Sequence, residues 1–148
     1  LGYIYEKGIG VQKDKKKAFK YYQKAARHSY TAAYKAGMFL KEIKRYKDAF
    51  RYFEKAAYRN TDASIELGIM YEKGLYKEKK STKKALKYYQ LAYNKSQSGI
   101  AAYNIGLLFE YGKGEVNKSE KLAKFWYKKS DYKKAKERLK ALNSKKDK

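Results

Sequence analysis

LGYIYEKGIGVQKDKKKAFKYYQKAA, residues 1–26, decides the fold. It opens inside an apolar pattern, breaks at two glycines, runs through lysines and resumes an apolar pattern around KAFKYYQKAA. Its first half returns as LGIMYEKG at residues 67–74 and as IGLLFEYGKG at 105–114. Recurrence at a near-constant period marks a repeat array, in which each unit buries its apolar face against its neighbours.

The register follows from Gly2, Gly37, Gly68 and Gly106, which are 35, 31 and 38 residues apart. Ala32, Ala63 and Ala101 stand five residues before the last three. A second motif follows each glycine: KAFKYYQKAA (17–26), DAFRYFEKAA (48–57), KALKYYQLAY (84–93) and LAKFWYKKS (122–130), with Ala18, Ala49, Ala85 and Ala123 in register. Apolar residues recur at i, i+3, i+4 and i+7 in both motifs, the spacing of an amphipathic helix. Each unit therefore reads as helix, turn, helix.

Glycine inside a helix costs about 1 kcal/mol relative to alanine, so four in register predict a close approach of two helix backbones. Tyr5, Tyr71, Phe109, Tyr21, Tyr22, Tyr88, Tyr89, Trp126 and Tyr127 are expected to fill the layer between helices, with rings buried and tyrosine hydroxyls in water. Gly8, Gly10, Gly74, Gly112 and Gly114 fit helix C-caps. Asp14, Ser81 and Ser119 fit N-caps of second helices. The second unit differs, because LKEIKRYKDAF (40–50) passes between helices without a glycine loop.

Composition sets the outer limits. The chain has 148 residues, 43% of them apolar, which suits one compact array and argues against wholesale disorder. Cysteine is absent, which excludes disulfides and thiolate metal sites. No apolar run approaches the roughly 20 residues of a membrane-spanning helix. Lysine and arginine number 38 against 15 acids, a net charge of +23. A-rich codon usage accounts for lysine over arginine better than it accounts for the shortage of acids.

LGYIYEKGIGVQKDKKKAFKYYQKAA resembles the Sel1-like repeat, a member of the tetratricopeptide superfamily. Residues 101–130 match that pattern well, residues 63–92 lose its second loop glycine, and residues 32–57 are a shortened form. The resemblance implies an all-α fold, a right-handed α-α superhelical solenoid. Repeats are expected at about 1–31, 32–62, 63–100 and 101–130, then a capping helix at 131–142 and a frayed basic tail at 143–148. Leu1 falls in mid-pattern, so further helix is expected before it.

The resemblance also implies a non-enzymatic scaffold whose first helices line a concave groove. The residues it places there are Tyr3, Glu6, Tyr34, Met38, Ile65, Ile69, Glu72, Tyr103, Leu107, Glu110 and Tyr111. Tyr3, Tyr34, Tyr103 and Tyr111 are the expected anchors for a protein or peptide partner. The strip is apolar with an acidic edge, which fits an apolar or basic segment. On the plainer reading the apolar positions pack against the next repeat and the glutamates pair with loop lysines.

The alternative function lies with the lysines. Lys15, Lys16, Lys17, Lys79, Lys80, Lys83, Lys84, Lys128, Lys129, Lys133 and Lys134 could neutralise phosphates in an RNA-associated subunit or polyanion-binding module, with tyrosines stacking on bases. The scarcity of arginine counts against specific recognition. Catalysis has little support. His28 is the sole histidine, and no nucleophile with a partner, paired-carboxylate site or metal-ligand cluster is legible, so no cofactor is expected.

Overall fold

The computed structural model describes residues 1–76 and 80–145 of the chain. Its elements are α1 (Gly2–Lys7), α2 (Lys15–Ala25), α3 (Tyr30–Glu42), α4 (Tyr46–Ala56), α5 (Thr61–Lys73), α6 (Thr82–Ser96), α7 (Gly99–Tyr111), α8 (Glu120–Lys128) and α9 (Lys133–Ser144). The described residues contain no strand. The chain divides into two compact units, Leu1–Ala63 and Ser64–Lys148.

In unit 1, α1 pairs with α2, α2 packs on α3, and α3 pairs with α4. Ala18, Ala33, Ala36, Leu40, Ala49, Phe53 and Ala56 form its buried interior. In unit 2, α6 packs on α7, α7 pairs with α8, and α9 lies against both α7 and α8. One cluster of its core joins Ile65, Ala85, Tyr89, Ile105, Leu108 and Val116. Another joins Ala123, Tyr127, Ala135 and Leu142.

The expected N-caps are made. Asp14, Ser81 and Ser119 accept hydrogen bonds from the backbone N–H groups of Lys17 (3.0 Å), Lys84 (3.2 Å) and Leu122 (3.2 Å). First helices are capped in the same way, which the motif alignment did not reveal: Ser29, Asn60 and Ser98 accept from Ala32, Ala63 and Ala101. The three donors are the alanines that precede Gly37, Gly68 and Gly106 by five residues. Gly8 and Gly112 take left-handed C-cap conformations, with φ of 71° and 59°. The last helix starts at Lys133 and runs through Ser144, two residues past the expected cap boundary.

The glycines act differently from the expectation. What approaches each one is an aromatic ring from the second helix rather than a helix backbone. A Cβ on Gly2 would lie 2.8 Å from the Tyr22 ring, and one on Gly37 would lie 2.6 Å from Phe53. Gly68 and Gly106 meet Tyr89 and Tyr127 even more closely. Each ring thus fills the space that a side chain would need.

The connections between helices also differ. Eight residues link α7 to α8, and they fold back on the start of α6. The Thr82 hydroxyl donates to the Lys113 carbonyl (2.8 Å) and accepts from the Glu115 N–H (2.9 Å). The Ser81 hydroxyl donates to the Glu115 carboxylate (2.8 Å), and Val116 is buried. Only Ile43, Lys44 and Arg45 link α3 to α4. That short link forces Lys44 to a left-handed φ of 63°. A non-glycine residue pays roughly 1–2 kcal/mol there. Lys44→Gly should therefore raise stability by about 1 kcal/mol, seen as a rise of about 2–4 °C in the thermal midpoint by circular dichroism.

Candidate functional site

Three of the four rings on the glycines belong to tyrosine, and each hydroxyl is hydrogen-bonded to a carboxylate. Tyr22 donates to Glu6 (2.6 Å), Tyr89 to Glu72 (2.7 Å), and Tyr127 to Glu110. Each glutamate stands four residues after its glycine. Its other oxygen takes a cation: Lys35 on Glu6 (3.2 Å), Lys113 on Glu72 (3.1 Å), and Arg138 on Glu110. The second repeat replaces the whole arrangement. Its ring is Phe53, which has no hydroxyl to donate, and Lys41 stands where the glutamate would be.

These pairings set the protonation of the carboxylates. Burial pushes Glu110 up, but the hydrogen bonds from Arg138 and Tyr127 and the Arg138 charge outweigh it and hold the carboxyl below its usual range. Glu6 is lowered in the same way, by Tyr22 and Lys35 against the effect of burial. Burial and the adjacent carboxylates drive the Tyr22, Tyr89 and Tyr127 hydroxyls far upward, so they stay protonated donors.

The predicted groove residues therefore separate into groups. Tyr3 and Tyr111 are exposed, at 56% and 55%. The Arg138 guanidinium lies 5.9 Å from the Tyr111 ring centroid. Tyr34 and Tyr103 are half-buried packing rings, with centroids 6.1 Å from Phe53 and from Tyr127 respectively, and Tyr103 also lies 5.1 Å from Tyr132. Ile65 belongs to the core, so it offers no open surface, and Ile69 packs against that core. Leu107 packs on the cluster around Tyr127, and Met38 lines a cleft in unit 1. Glu6, Glu72 and Glu110 serve the tyrosine–cation pairings, and Glu110 is itself buried.

The lysines are mostly exposed, but several already have partners. Lys15 pairs with Glu42 at 2.8 Å. Lys17, Lys84 and Lys129 lie over the rings of Tyr5 (5.5 Å), Tyr71 (5.2 Å) and Phe125 (4.7 Å). Lys16, Lys80, Lys83, Lys128, Lys133 and Lys134 are exposed. Lys79 lies outside the described residues, as do residues 146–148 of the basic tail. His28 is exposed in the turn after α2. Among the described residues no group of His, Cys, Asp or Glu could hold a metal ion, and no helix is long and apolar enough to cross a membrane.

The cleft in unit 1 has a volume of about 660 Å³. Its floor is apolar: Ala18, Met38, and the rings of Phe19 and Phe39, stacked with centroids 4.6 Å apart. Five lysines and two glutamates line it. Three of the expected groove residues, Glu6, Tyr34 and Met38, line it, whereas its Phe19–Phe39 floor was not among them.

Comparisons with known proteins agree with the repeat fold. The Sel1 repeat profile matches residues 1–30, 31–60, 61–96 and 99–130. A protective antigen from uropathogenic Escherichia coli with an SLR fold is 25% identical and superposes with a TM-score of 0.91, covering 98% of this chain and 32% of that one. A Sel1 repeat protein from Oxalobacter formigenes is 27% identical with a TM-score of 0.78, covering 93% of this chain and 54% of that one. This chain thus spans about a third and about half of their lengths. No curated protein matches it.

The acid response of the pairings can be measured. The native pKa of Glu110 lies below its unfolded value, so its contribution is present above the ordinary carboxylate range and is lost as pH falls through the lowered native pKa. Chemical denaturation should show stability falling as pH drops below about 4.5, with a shallower fall in Glu110→Gln. At neutral pH, Tyr127→Phe should cost about 1 kcal/mol, because it removes one donor from a carboxylate whose two oxygens still accept from Arg138.

Proposed function

Because the chain belongs to the Sel1 repeat family, we propose that it is a non-enzymatic scaffold that holds a partner protein or peptide against the first helix of each pair. Proteins of this family are generally interaction scaffolds without chemistry of their own. One observation carries the reading: first-helix side chains are presented from a pre-set framework. Tyr3 and Tyr111 stand exposed on helices whose neighbouring glutamates are fixed by a tyrosine and a cation. A framework ordered in advance loses little entropy on binding, so the partner segment bears most of that cost.

The test is affinity capture with the intact chain from cells that produce it, with nuclease, at physiological salt. A protein partner should be retained. Tyr3→Ala and Tyr111→Ala should together weaken its binding by about tenfold or more. Capture of RNA alone, lost with nuclease and salt and indifferent to both tyrosines, would instead make the exposed lysines the functional surface.

A further inference from the structure

We propose that the cleft of unit 1 is the docking site for an extended partner segment that carries an aliphatic side chain next to an acidic one. This rests on the scaffold reading and names the chemistry of the partner.

The argument comes from comparing two repeats of the same chain. In unit 2, Ala85 and Leu86 follow the N-cap Ser81 by four and five residues. The loop after α7 reaches them: Val116 enters the core cluster that contains Ala85 and against which Leu86 packs, while Leu86 still lines a cleft beside Glu115 and Val116. The neighbouring Glu115 is held by the Ser81 hydroxyl through its carboxylate and by Thr82 through its N–H. The loop thus delivers an acid–aliphatic pair to the start of the preceding second helix.

In unit 1 the equivalent residues are Ala18 and Phe19, four and five after the N-cap Asp14. The α3–α4 link has three residues where α7–α8 has eight, so it brings no valine and no glutamate. Ala18 and Phe19 line the open cleft instead. Ala18 is itself buried, so the apolar surface left open is the half-buried Phe19 stacked on Phe39, beside which the short link sets no valine and no glutamate.

Charge selects what enters. Both cleft glutamates are already paired inside the cleft, Glu6 with Lys35 and Glu42 with Lys15. Lys7 and Lys13 add positive charge at the rim. A basic segment would meet excess lysine, whereas an acidic residue beside the aliphatic anchor is complemented. The acidic edge that favoured a basic segment in the sequence is consumed by these internal pairings.

The probe is a fluorescein-labelled, acetylated octapeptide with Glu-Val at its centre and two further acids, followed by anisotropy at physiological salt on the intact chain. Replacing its valine by glycine, at unchanged charge, should weaken binding about tenfold. Replacing its acids by lysine should abolish binding. Lys7→Glu with Lys13→Glu should also weaken it about tenfold, whereas Lys133→Glu with Lys134→Glu should not. Replacing residues 43–45 by the eight-residue sequence GKGEVNKS (112–119) should fill the cleft and abolish binding without lowering the thermal midpoint.

Equal binding of the valine and glycine peptides would overturn the proposal in favour of charge alone. Undiminished binding to the loop-grafted chain, if it folds, would place the peptide elsewhere. A dimer in sedimentation that the graft dissociates would make a second copy the occupant. A protein partner that still binds the grafted chain would overturn this docking site and leave the scaffold reading standing. Nuclease-sensitive capture alone would overturn the scaffold reading itself.

Discussion

The structure depends on one contact, repeated four times: the ring of a second-helix aromatic lying on the glycine of the first helix. Any side chain at that glycine would collide with the ring. Glycine is intrinsically poor in a helix, at about 1 kcal/mol relative to alanine. The burial of a whole aromatic side chain offsets that cost, since rings of this size dominate core energetics. The contact fixes how closely the two helices of a pair approach and where the ring's far end must lie.

From that placement the carboxylate pairings follow. A tyrosine seated on the glycine carries its hydroxyl to the residue one turn further along the first helix, and a glutamate there accepts it. The carboxylate then attracts a cation, from α3 for Glu6, from the loop after α7 for Glu72, and from α9 for Glu110. The second repeat obeys the same rule by breaking it: phenylalanine makes no hydrogen bond, and lysine replaces the acceptor. A buried carboxylate without a donor would be costly, so the two positions change together.

The helix pairs, the second-helix caps and the glycine turns were legible because each rests on local chemistry repeated in register. The glycines were legible as sites of close approach, but their partner was misjudged. Alanines and aromatics occur together in the second helix, and spacing alone does not say which one meets the glycine. The tyrosine–glutamate pairing was present as a covariation inside the chain: Tyr22 with Glu6, Tyr89 with Glu72 and Tyr127 with Glu110, against Phe53 with Lys41. Ile65 and Glu110 were placed in the groove by the family pattern, which gives a direction on the helix without a depth. The unit 1 cleft was legible in part, through Glu6, Tyr34 and Met38; its Phe19–Phe39 floor was not, since that stack joins two successive helix pairs and spacing within one repeat does not show it.

The central claim is that ring and glycine are complementary, and a double-mutant cycle at Gly106 and Tyr127 tests it most directly. With Tyr127 present, Gly106→Ala should cost about 1–3 kcal/mol in chemical denaturation, because the added methyl meets the ring. With Tyr127→Leu in place the same change should be neutral or stabilising by up to about 1 kcal/mol, since only the helix preference for alanine remains. Equal costs in both backgrounds would mean that the glycine answers to something other than the ring, and the account of how these helix pairs are joined would fail.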